Sequence, residues 1–351
     1  MSTLAAPRDK RSLRRLLLVL IGLGLAVLLI VAILHTGTDP ASTLNTFATR
    51  FLGIFIEAIP FLLLGTMASG LIDVFISPDD VARWIPRNPI LATLIGTFMG
   101  FLFPVCECGV VPVVRRLYTK GLPMSVGVTF LLASPAINPI ALVSTYVAFG
   151  FGPVLIGRFV FTAIIAMCVG LVFAYAGRPQ DVLRPTTVIP VMGGDGEATV
   201  NDIIPLYVKT PRKPLLQGLR EAIVAASDEF YEMGRYLIFG SLLAAAMQTL
   251  ISQDVLLALG RGPVISVIVM EALAFVLSIC STVDSFLALA FTSTFTTGSI
   301  IAFLTFGPMV DVKSTLMFLS VYKRRTVLYL IVLPFLMALL IGVWINLNVA
   351  F

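Results

Sequence analysis

Nine apolar stretches, each about 19 to 29 residues long, follow one another along this chain of 351 residues and constrain its fold more than any other feature. A helix rising 1.5 Å per residue needs about 20 residues to bridge the roughly 30 Å hydrocarbon core of a bilayer. Charged residues are only 12% of the chain, about half the share in a soluble domain. The sequence therefore predicts an all-α polytopic membrane protein with seven to nine transmembrane segments. It excludes a soluble enzyme and a nucleic-acid-binding domain.

The apolar stretches fall into two groups separated by one long polar segment. They cover about 16–34, 51–76, 90–114, 123–149, 153–176, 230–252, 262–290, 297–320 and 326–348. The first follows a cluster of five basic residues and has no small-residue cleavage site after it, which is typical of an uncleaved helix with a cytoplasmic N-terminus. The predicted divisions are 1–43 for the basic N-terminus and first helix, 44–176 for repeat A, 177–228 for a cytoplasmic linker and 229–351 for repeat B. The end of that linker, about 214–228, has helical periodicity and is expected to lie along the membrane surface.

An internal repeat relates the two membrane halves. Three pairs of sequence blocks occur in the same order with offsets of 173 to 175 residues. The alternative is that apolar segments resemble one another by composition alone, but polar and proline positions carry this match. The matched positions are Glu57 with Glu232, Cys106 with Cys280, Pro135 with Pro308, and Asn138 with Asp311.

The distribution of basic residues favours a topology in which two apolar stretches enter the membrane and return. If 90–114 and 262–290 are re-entrant hairpins, nearly all Lys and Arg residues fall on the cytoplasmic side, as the positive-inside rule requires. Each repeat then has three spans, and the odd number inverts the second repeat relative to the first. Inverted repeats with broken helices and a midplane site are a recurrent transporter architecture. Nine full crossings remain the alternative.

Cysteines cluster at the predicted hairpin tips, which are 104–109 and 280–284. Cys106 and Cys108 flank Glu107, and Cys280 lies at the tip of the other hairpin. Two thiols one residue apart could chelate a soft metal or metalloid, or form a strained disulfide, and Cys280 could supply a third sulfur. The alternative is that these residues only pack, as small apolar side chains do in membranes. Packing is the interpretation preferred for Cys168.

Acidic residues at membrane depth are the candidates for proton or ion coupling, because an intramembrane carboxylate is costly and is a functional candidate by default. This group contains Glu107 and Asp284 at the hairpin tips, Asp311, Glu57 and Glu232. Glu57 and Glu232 could instead form ion pairs with Arg235. The role of Glu271, another acidic residue in an apolar stretch, is left open.

Prolines interrupt two of the apolar stretches and predict broken helices. Ser134, Asn138 and Asp311 accompany these interruptions, and a proline frees backbone carbonyls that can bind polar solutes. Asp311 and Lys313 are two residues apart, so no ion pair between them is expected on a regular helix. The predicted substrate-binding residues are Cys106, Glu107, Cys108, Ser134, Asn138, Cys280, Asp284 and Asp311. The predicted structural breaks are Pro104, Gly109, Pro135, Pro139 and Pro308.

These motifs are similar to those of one known protein family. The segments FPVCECGVVPVVRRL, Gly121-Leu122-Pro123 and LLASPAINPIA resemble the signature of the predicted permease family that includes the methylarsenite efflux permeases. The resemblance covers roughly 50–348 and implies a permease of the inner cell membrane. It leaves the substrate open, although a thiol-lined path would suit trivalent organoarsenicals. The matching positions are Cys106, Glu107, Cys108, Gly109, Pro135, Asn138 and Pro139.

The function predicted from these features is secondary transport of a small, thiophilic solute, such as a metalloid, a metal or a sulfur compound. No phosphate-binding Gly-Lys-Ser/Thr loop is present, so we expect the chain not to hydrolyse ATP and not to be an enzyme. The alternatives are a membrane thiol–disulfide redox enzyme that uses Cys106 and Cys108, and a channel or membrane subunit of a larger complex. No cofactor, resident metal or nucleic acid is expected. The expected partners are a small-molecule or ion substrate and the lipid bilayer, and a homo-oligomer is left open.

Overall fold

A computed structural model describes residues 40–86, 88–176, 182–184, 215–250 and 262–348 of the chain. All named secondary-structure elements in these ranges are α-helices, which confirms the all-α prediction for this part of the protein. The predicted first helix over 16–34, the basic N-terminus and most of the predicted linker lie outside the described residues.

The helices of each half follow a common order. Seven helices form the first half: α1 Pro40–Phe75, α2 Pro78–Trp84, α3 Pro89–Leu102, α4 Glu107–Thr119, α5 Met124–Ile137, α6 Pro139–Phe149 and α7 Pro153–Ala176. Six form the second: α8 Leu215–Leu250, α9 Ile265–Leu277, α10 Asp284–Ala290, α11 Thr297–Met309, α12 Val312–Val321 and α13 Arg324–Asn348. Each half begins with a helix of 36 residues and ends with a helix of 24 or 25 residues.

The segment 214–228 is not a separate surface helix. It belongs to α8, which is continuous from Leu215 to Leu250 and has 36 residues, the same length as its counterpart α1. At 1.5 Å per residue each of these helices is about 54 Å long, more than the thickness of the hydrocarbon core. The continuation is explained by packing, because Gly70 of α1 leaves no room for a Cβ against the Ala222 carbonyl.

Two pairs of helices, each with one member from either half, run in opposite directions. Ser69, near the end of α1, donates a hydrogen bond to Glu229, in the first half of α8. Arg50, near the start of α1, donates to the carbonyl of Gln248, near the end of α8. The start of α7 likewise lies beside the end of α13, where Gly157 and Trp344 line one cavity. Both pairs of helices are therefore antiparallel.

Five helical stretches are long and apolar enough to cross a membrane within the described residues. They are Ala41–Phe75, Met124–Phe149, Pro153–Ala176, Thr297–Val321 and Arg324–Asn348. The second and fourth consist of broken helices, α5 with α6 and α11 with α12, and most of their residues are buried inside the protein. The other three present most of their surface outward. The broken helices thus form the centre, and α1, α7 and α13 the periphery.

The short helix pair α3 and α4 begins and ends near the same end of the molecule. Gly96 of α3 lies against Val126, near the start of α5. Lys120, which directly follows α4, donates a 2.6 Å hydrogen bond to the carbonyl of Asp73 in the last turns of α1. The second half repeats this arrangement with α9 and α10, since the hydroxyls of Ser266 and Thr296 lie 3.2 Å apart.

Helix breaks fall beside most of the predicted break residues and not at them. Pro104 lies in the non-helical stretch between α3 and α4, but Gly109 lies inside α4. Pro135 and Pro308 lie in the last turn of α5 and α11, and each helix ends within two residues of its proline, which removes a backbone donor and clashes with the preceding turn. The first break instead falls at Asn138, which has an extended conformation as the residue before Pro139.

Gly65 allows α1 and α4 to approach closely, since a Cβ on Gly65 would overlap the carbonyl oxygen of Gly109. We expect Gly65→Ala to lower the stability of the protein by about 1–3 kcal/mol, as overpacking usually does. Gly53→Ala is the matched control on the same helix, because nothing lies within 4 Å of its Cβ position. Thermal unfolding in detergent measures both. Equal melting temperatures for the two variants would contradict this packing.

Candidate functional site

The two helix breaks meet two non-helical tips at the centre of the molecule, the first at 103–106 and the second at 278–283. The hydroxyl of Ser134 on α5 donates to the carbonyls of Phe103 (3.4 Å) and Val105 (3.3 Å) at the first tip. The Val312 N–H at the second break donates to the hydroxyl of Ser278 at the second tip over 3.2 Å. Helix ends from both halves therefore bring polar groups to one buried region.

Lys313 is the centre of a buried charged cluster. Its Nζ lies 2.8 Å from Oε1 of Glu107 and 3.4 Å from Oδ2 of Asp311, and it donates a 2.8 Å hydrogen bond to the Ser278 carbonyl. These three charged side chains are at most 3% exposed. The ion pair between Asp311 and Lys313 was not expected on a regular helix. It forms because Asp311 is extended and precedes α12.

Three thiols lie beside this cluster. Cys106 and Cys280 come from the two hairpin tips, and each has its Sγ within 4.8 Å of the other and of a Glu107 carboxylate oxygen. Cys108, the second residue of α4, hydrogen-bonds Cys106. These three cysteines are buried as free thiols. Cys168 is a partly exposed free thiol on the peripheral helix α7, away from this group.

Glu57 and Glu232 are placed differently although they match in the repeat. Glu57 on α1 hydrogen-bonds Cys280 and lies close enough to Lys313 and Glu107 to interact with both. Glu232 on α8 forms an ion pair of 2.7 Å with Arg115, and its side chain is 37% exposed. The expected pairing with Arg235 is therefore wrong for Glu232. Only Glu57 of these two belongs to the central cluster.

Arg158 and Asp284 form a second buried ion pair, which sequence analysis missed. Nη1 and Nη2 of Arg158 each lie 2.9 Å from a different oxygen of Asp284, a bidentate geometry. Arg158 also donates to the Ala136 carbonyl (3.0 Å), Thr145 (3.0 Å) and Ser285 (2.9 Å). Arg158 belongs to the first half of the chain and Asp284 to the second. The signal in the sequence was an arginine five residues inside an otherwise uncharged apolar helix.

Asn138 and Asp311 cap the helices that follow the two breaks. Oδ1 of Asn138 accepts from the Ala141 N–H (2.8 Å), and its amide donates to the carbonyls of Ser134 and Pro135. Oδ1 of Asp311 accepts from the Ser314 N–H over 2.6 Å. Both side chains thus stabilise helix N-termini at the centre of the molecule. Asp311 retains its second oxygen, which has no hydrogen-bond partner among the described residues.

The central cluster contains more negative than positive groups. Glu107, Asp311 and Glu57 surround the single cation Lys313, whereas Arg158 and Asp284 are matched one to one. Oε2 of Glu107 also has no hydrogen-bond partner among the described residues. The cluster therefore combines more acidic than basic groups, a carboxyl oxygen without a hydrogen-bond partner, and thiols, and such a set can accept a proton or a thiophilic ligand.

A comparison with protein families matches residues 43–347 to the model of a family described as a predicted permease. The chain belongs to this predicted permease family. The match includes both halves of the molecule and all of the central residues described above. Together with the apolar helices, it identifies a multi-pass membrane protein of a permease family.

Two curated relatives support the assignment. The UPF0718 protein YcgR of Bacillus subtilis is 44% identical over 80% of this chain and 90% of its own length. A Streptococcus mutans protein named as a putative two-component membrane permease complex subunit is 37% identical over 82% of this chain and 91% of its own. No solved structure matches the chain.

The pair of Arg158 and Asp284 should contribute strongly to stability. Arg158→Met leaves Asp284 buried without a partner, so we expect a loss of about 3–5 kcal/mol of unfolding free energy. The double variant Arg158→Met/Asp284→Leu should recover most of this loss, because it removes both charges. Chemical unfolding in detergent measures these changes.

Arg115→Met is the matched control, because it breaks the more exposed pair with Glu232. Such pairs contribute at most about 1 kcal/mol. If Arg158→Met costs no more than Arg115→Met, the buried pair does not stabilise the fold in the way described.

Proposed function

We propose that this chain is a secondary transporter that moves a small, thiophilic solute across the inner cell membrane, through a site between its two halves. The observation that carries the proposal is the meeting of Cys106 and Cys280 with Glu107 at the centre of the molecule. Each half contributes one of the two sulfur atoms. A ligand held by both sulfurs would contact both halves, which is what a transporter that moves one half against the other requires.

An inverted repeat with two re-entrant hairpins supports this assignment. Its basis is the antiparallel arrangement of α1 with α8 and of α7 with α13, together with hairpins whose two ends lie at one end of the molecule. Gly109, near the tip of the first hairpin, packs on Gly65, ten residues before the end of α1. At 1.5 Å per residue the tip lies about 15 Å along α1 from its end, a distance of about half the thickness of the hydrocarbon core.

The charges at the hairpin openings orient the protein. Arg115, Arg116 and Lys120 lie at the end of α1 where the first hairpin opens, and Arg116 and Lys120 form ion pairs with Asp73 there. The positive-inside rule assigns this end to the cytoplasm. The second hairpin then opens on the opposite side, and the two tips approach each other from opposite faces of the membrane.

Two positions that match in the sequence repeat differ in solvent exposure, and this difference favours an alternating-access mechanism. Lys313 on α12 is 2% exposed, because α1 and α8 pack over α4 and α12. Ile140 occupies the matching position on α6, 173 residues earlier, and is 47% exposed. Two halves of similar fold therefore have different packing in this conformation. A rocking motion that exchanges the covered and the uncovered side would open the site to each face of the membrane in turn.

The chemistry of the site selects the solute class. A trivalent metalloid that carries a hydroxyl can react with a thiol to form a metalloid–sulfur bond, and the hydroxyl leaves with the thiol proton as water. The thiols of Cys106 and Cys280 are placed for two such exchanges on one atom. Glu107 has a carboxyl oxygen without a hydrogen-bond partner among the described residues and lies beside both thiols, so it can relay a thiol proton to the departing hydroxyl. Asp311 and Glu57 complete the acidic side of the solute site.

A second candidate is a subunit of a larger permease complex. The name of the Streptococcus mutans relative describes a subunit of a two-component complex. In that case this chain would contain the solute site and a partner chain would be needed for flux. The membrane thiol–disulfide enzyme is disfavoured by the third thiol, Cys280, and by the charged cluster around it.

Binding of thiophilic probes should stabilise the purified full chain. With methylarsenite or Cd²⁺ at about 100 times its dissociation constant, mass action predicts a gain of about 2.7 kcal/mol, seen as a higher melting temperature. Cys106→Ser and Cys280→Ser should each abolish the shift, because either removes one of the two sulfurs. Cys168→Ser is the matched control and should retain the full shift, since Cys168 lies outside the cluster.

Liposomes that contain only this chain separate the two candidate functions. Saturable uptake of methylarsenite that is lost in Cys106→Ser and kept in Cys168→Ser would support an independent transporter. Binding without uptake would favour the subunit of a complex. Equal thermal shifts in all three cysteine variants would rule out the thiol site.

A further inference from the structure

Glu271 is a completely buried acid that the central site does not use. It lies in the middle of α9, on the first leg of the second hairpin, and its relative exposure is 0%. Neither of its carboxyl oxygens has a hydrogen-bond partner among the described residues. Most buried polar groups are satisfied, so a carboxyl with two free oxygens requires an explanation.

Glu271 is one of the residues that line a cavity of about 220 Å³ formed by three helices. Phe275 on α9, Phe306 on α11, and Ile331 and Phe335 on α13 contribute most of its wall. Ordered water needs two to four polar partners, and Glu271 is the only charged or polar side chain in this lining. One carboxyl also cannot replace the oxygen shell of a divalent cation. The ligand that this site fits is a proton.

Charged groups on the surrounding helices do not stabilise an ionised form of Glu271. Helix α11 and the segment 241–250 of α8, which packs against α9, contain no titratable side chain. Helix α13 contributes only Arg324, Arg325 and Tyr329, and none of them lines the cavity. An unpaired carboxylate in an apolar environment costs many kcal/mol, so the group is neutral in this conformation.

We propose that Glu271 is the proton-binding site of this permease. Its carboxyl group is protonated in the present conformation and releases the proton when a movement of α9 or α13 admits water to the cavity. The link to transport rests on the function proposed above. Helix α9 ends at Leu277, and the next residue, Ser278, binds Lys313 and the Val312 N–H. A shift of α9 would therefore move the tip that carries Cys280.

The first half of the chain has no counterpart of this site. Offsets of 174 and 175 residues place Thr97 and Gly96 of α3 opposite Glu271, and neither residue can titrate. The proton site is thus present in the second half of the chain and not at the aligned positions of the first half. We therefore expect one proton to bind per chain at this site.

Infrared spectroscopy of the full chain in liposomes tests the protonation state. A protonated carboxyl has a C=O stretching band that an ionised carboxylate lacks. At pH 7 we expect Glu271→Gln to lose this band while its melting temperature stays close to that of the wild type, because Gln keeps the volume and the neutral charge. Glu232→Gln is the matched control and should keep the band, since Glu232 is ion-paired with Arg115.

Dicyclohexylcarbodiimide provides a second measurement that needs no variant. Addition of a protonated carboxyl across this apolar carbodiimide forms an O-acylisourea, which rearranges to a stable N-acylurea without a leaving group. Peptide mass spectrometry should find the adduct on Glu271 of the wild-type protein, and a water-soluble carbodiimide should not label it. An unchanged infrared band in Glu271→Gln, or the absence of the adduct, would overturn the proposal.

Coupling is tested with an imposed pH gradient across liposomes that contain methylarsenite. The gradient should accelerate flux through the wild type severalfold and have no effect on Glu271→Gln. Equal acceleration in both proteins would overturn the coupling role. If neither protein moves methylarsenite, the proposed function fails for this probe, whereas the infrared and labelling results still decide whether Glu271 carries a proton.

Discussion

Neutralisation of charge inside an apolar molecule is the constraint on which the rest of this structure depends. Lys313 pairs with Glu107, and Arg158 pairs with Asp284, all nearly inaccessible to solvent. A single charge buried without a partner would cost more than the pair contributes, so each partner must be present wherever the other is. In both pairs one residue comes from each half of the chain. The ion pairs therefore fix how the two halves sit against each other.

The breaks in the helices explain how these charged residues are accommodated at the centre of the molecule. A continuous helix would satisfy its own backbone and bring only side chains to the centre, but each break exposes free N–H and carbonyl groups there. Asn138 and Asp311 satisfy part of this set as caps, and the Ser278 and Ala136 carbonyls bind Lys313 and Arg158. The breaks and the buried charges thus depend on each other, because Lys313 and Arg158 donate hydrogen bonds to carbonyl groups that have no partner within their own helices.

The sequence predicts much of the fold because apolar length, prolines and an internal repeat are local signals. It gives the helical class, the division into two membrane halves and stretches that contain breaks. It does not predict the partners of Arg158 and Lys313. Lys313 was dismissed because its spacing from Asp311 excludes contact on a regular helix, yet the extended conformation of Asp311 removes that restriction. An arginine inside an apolar stretch indicates a buried partner but does not say which residue it is, and only tertiary packing brings Arg158 to Asp284.

The two ion pairs are similar in position but have different consequences. Glu107 and Asp284 are each the first residue of a helix that follows a short non-helical stretch, although the offset of 174 residues aligns Glu107 with Ser281. Asp284 has one bidentate arginine and accepts a 3.2 Å hydrogen bond from the hydroxyl of Ser285, which leaves little for a ligand to replace. Glu107 shares one lysine with Asp311 and keeps a free oxygen beside two thiols. Exchange of a solute requires contacts that are incomplete without it. The pair of Glu107 and Lys313 therefore suits the solute site, and the pair of Asp284 and Arg158 suits a fixed connection between the halves.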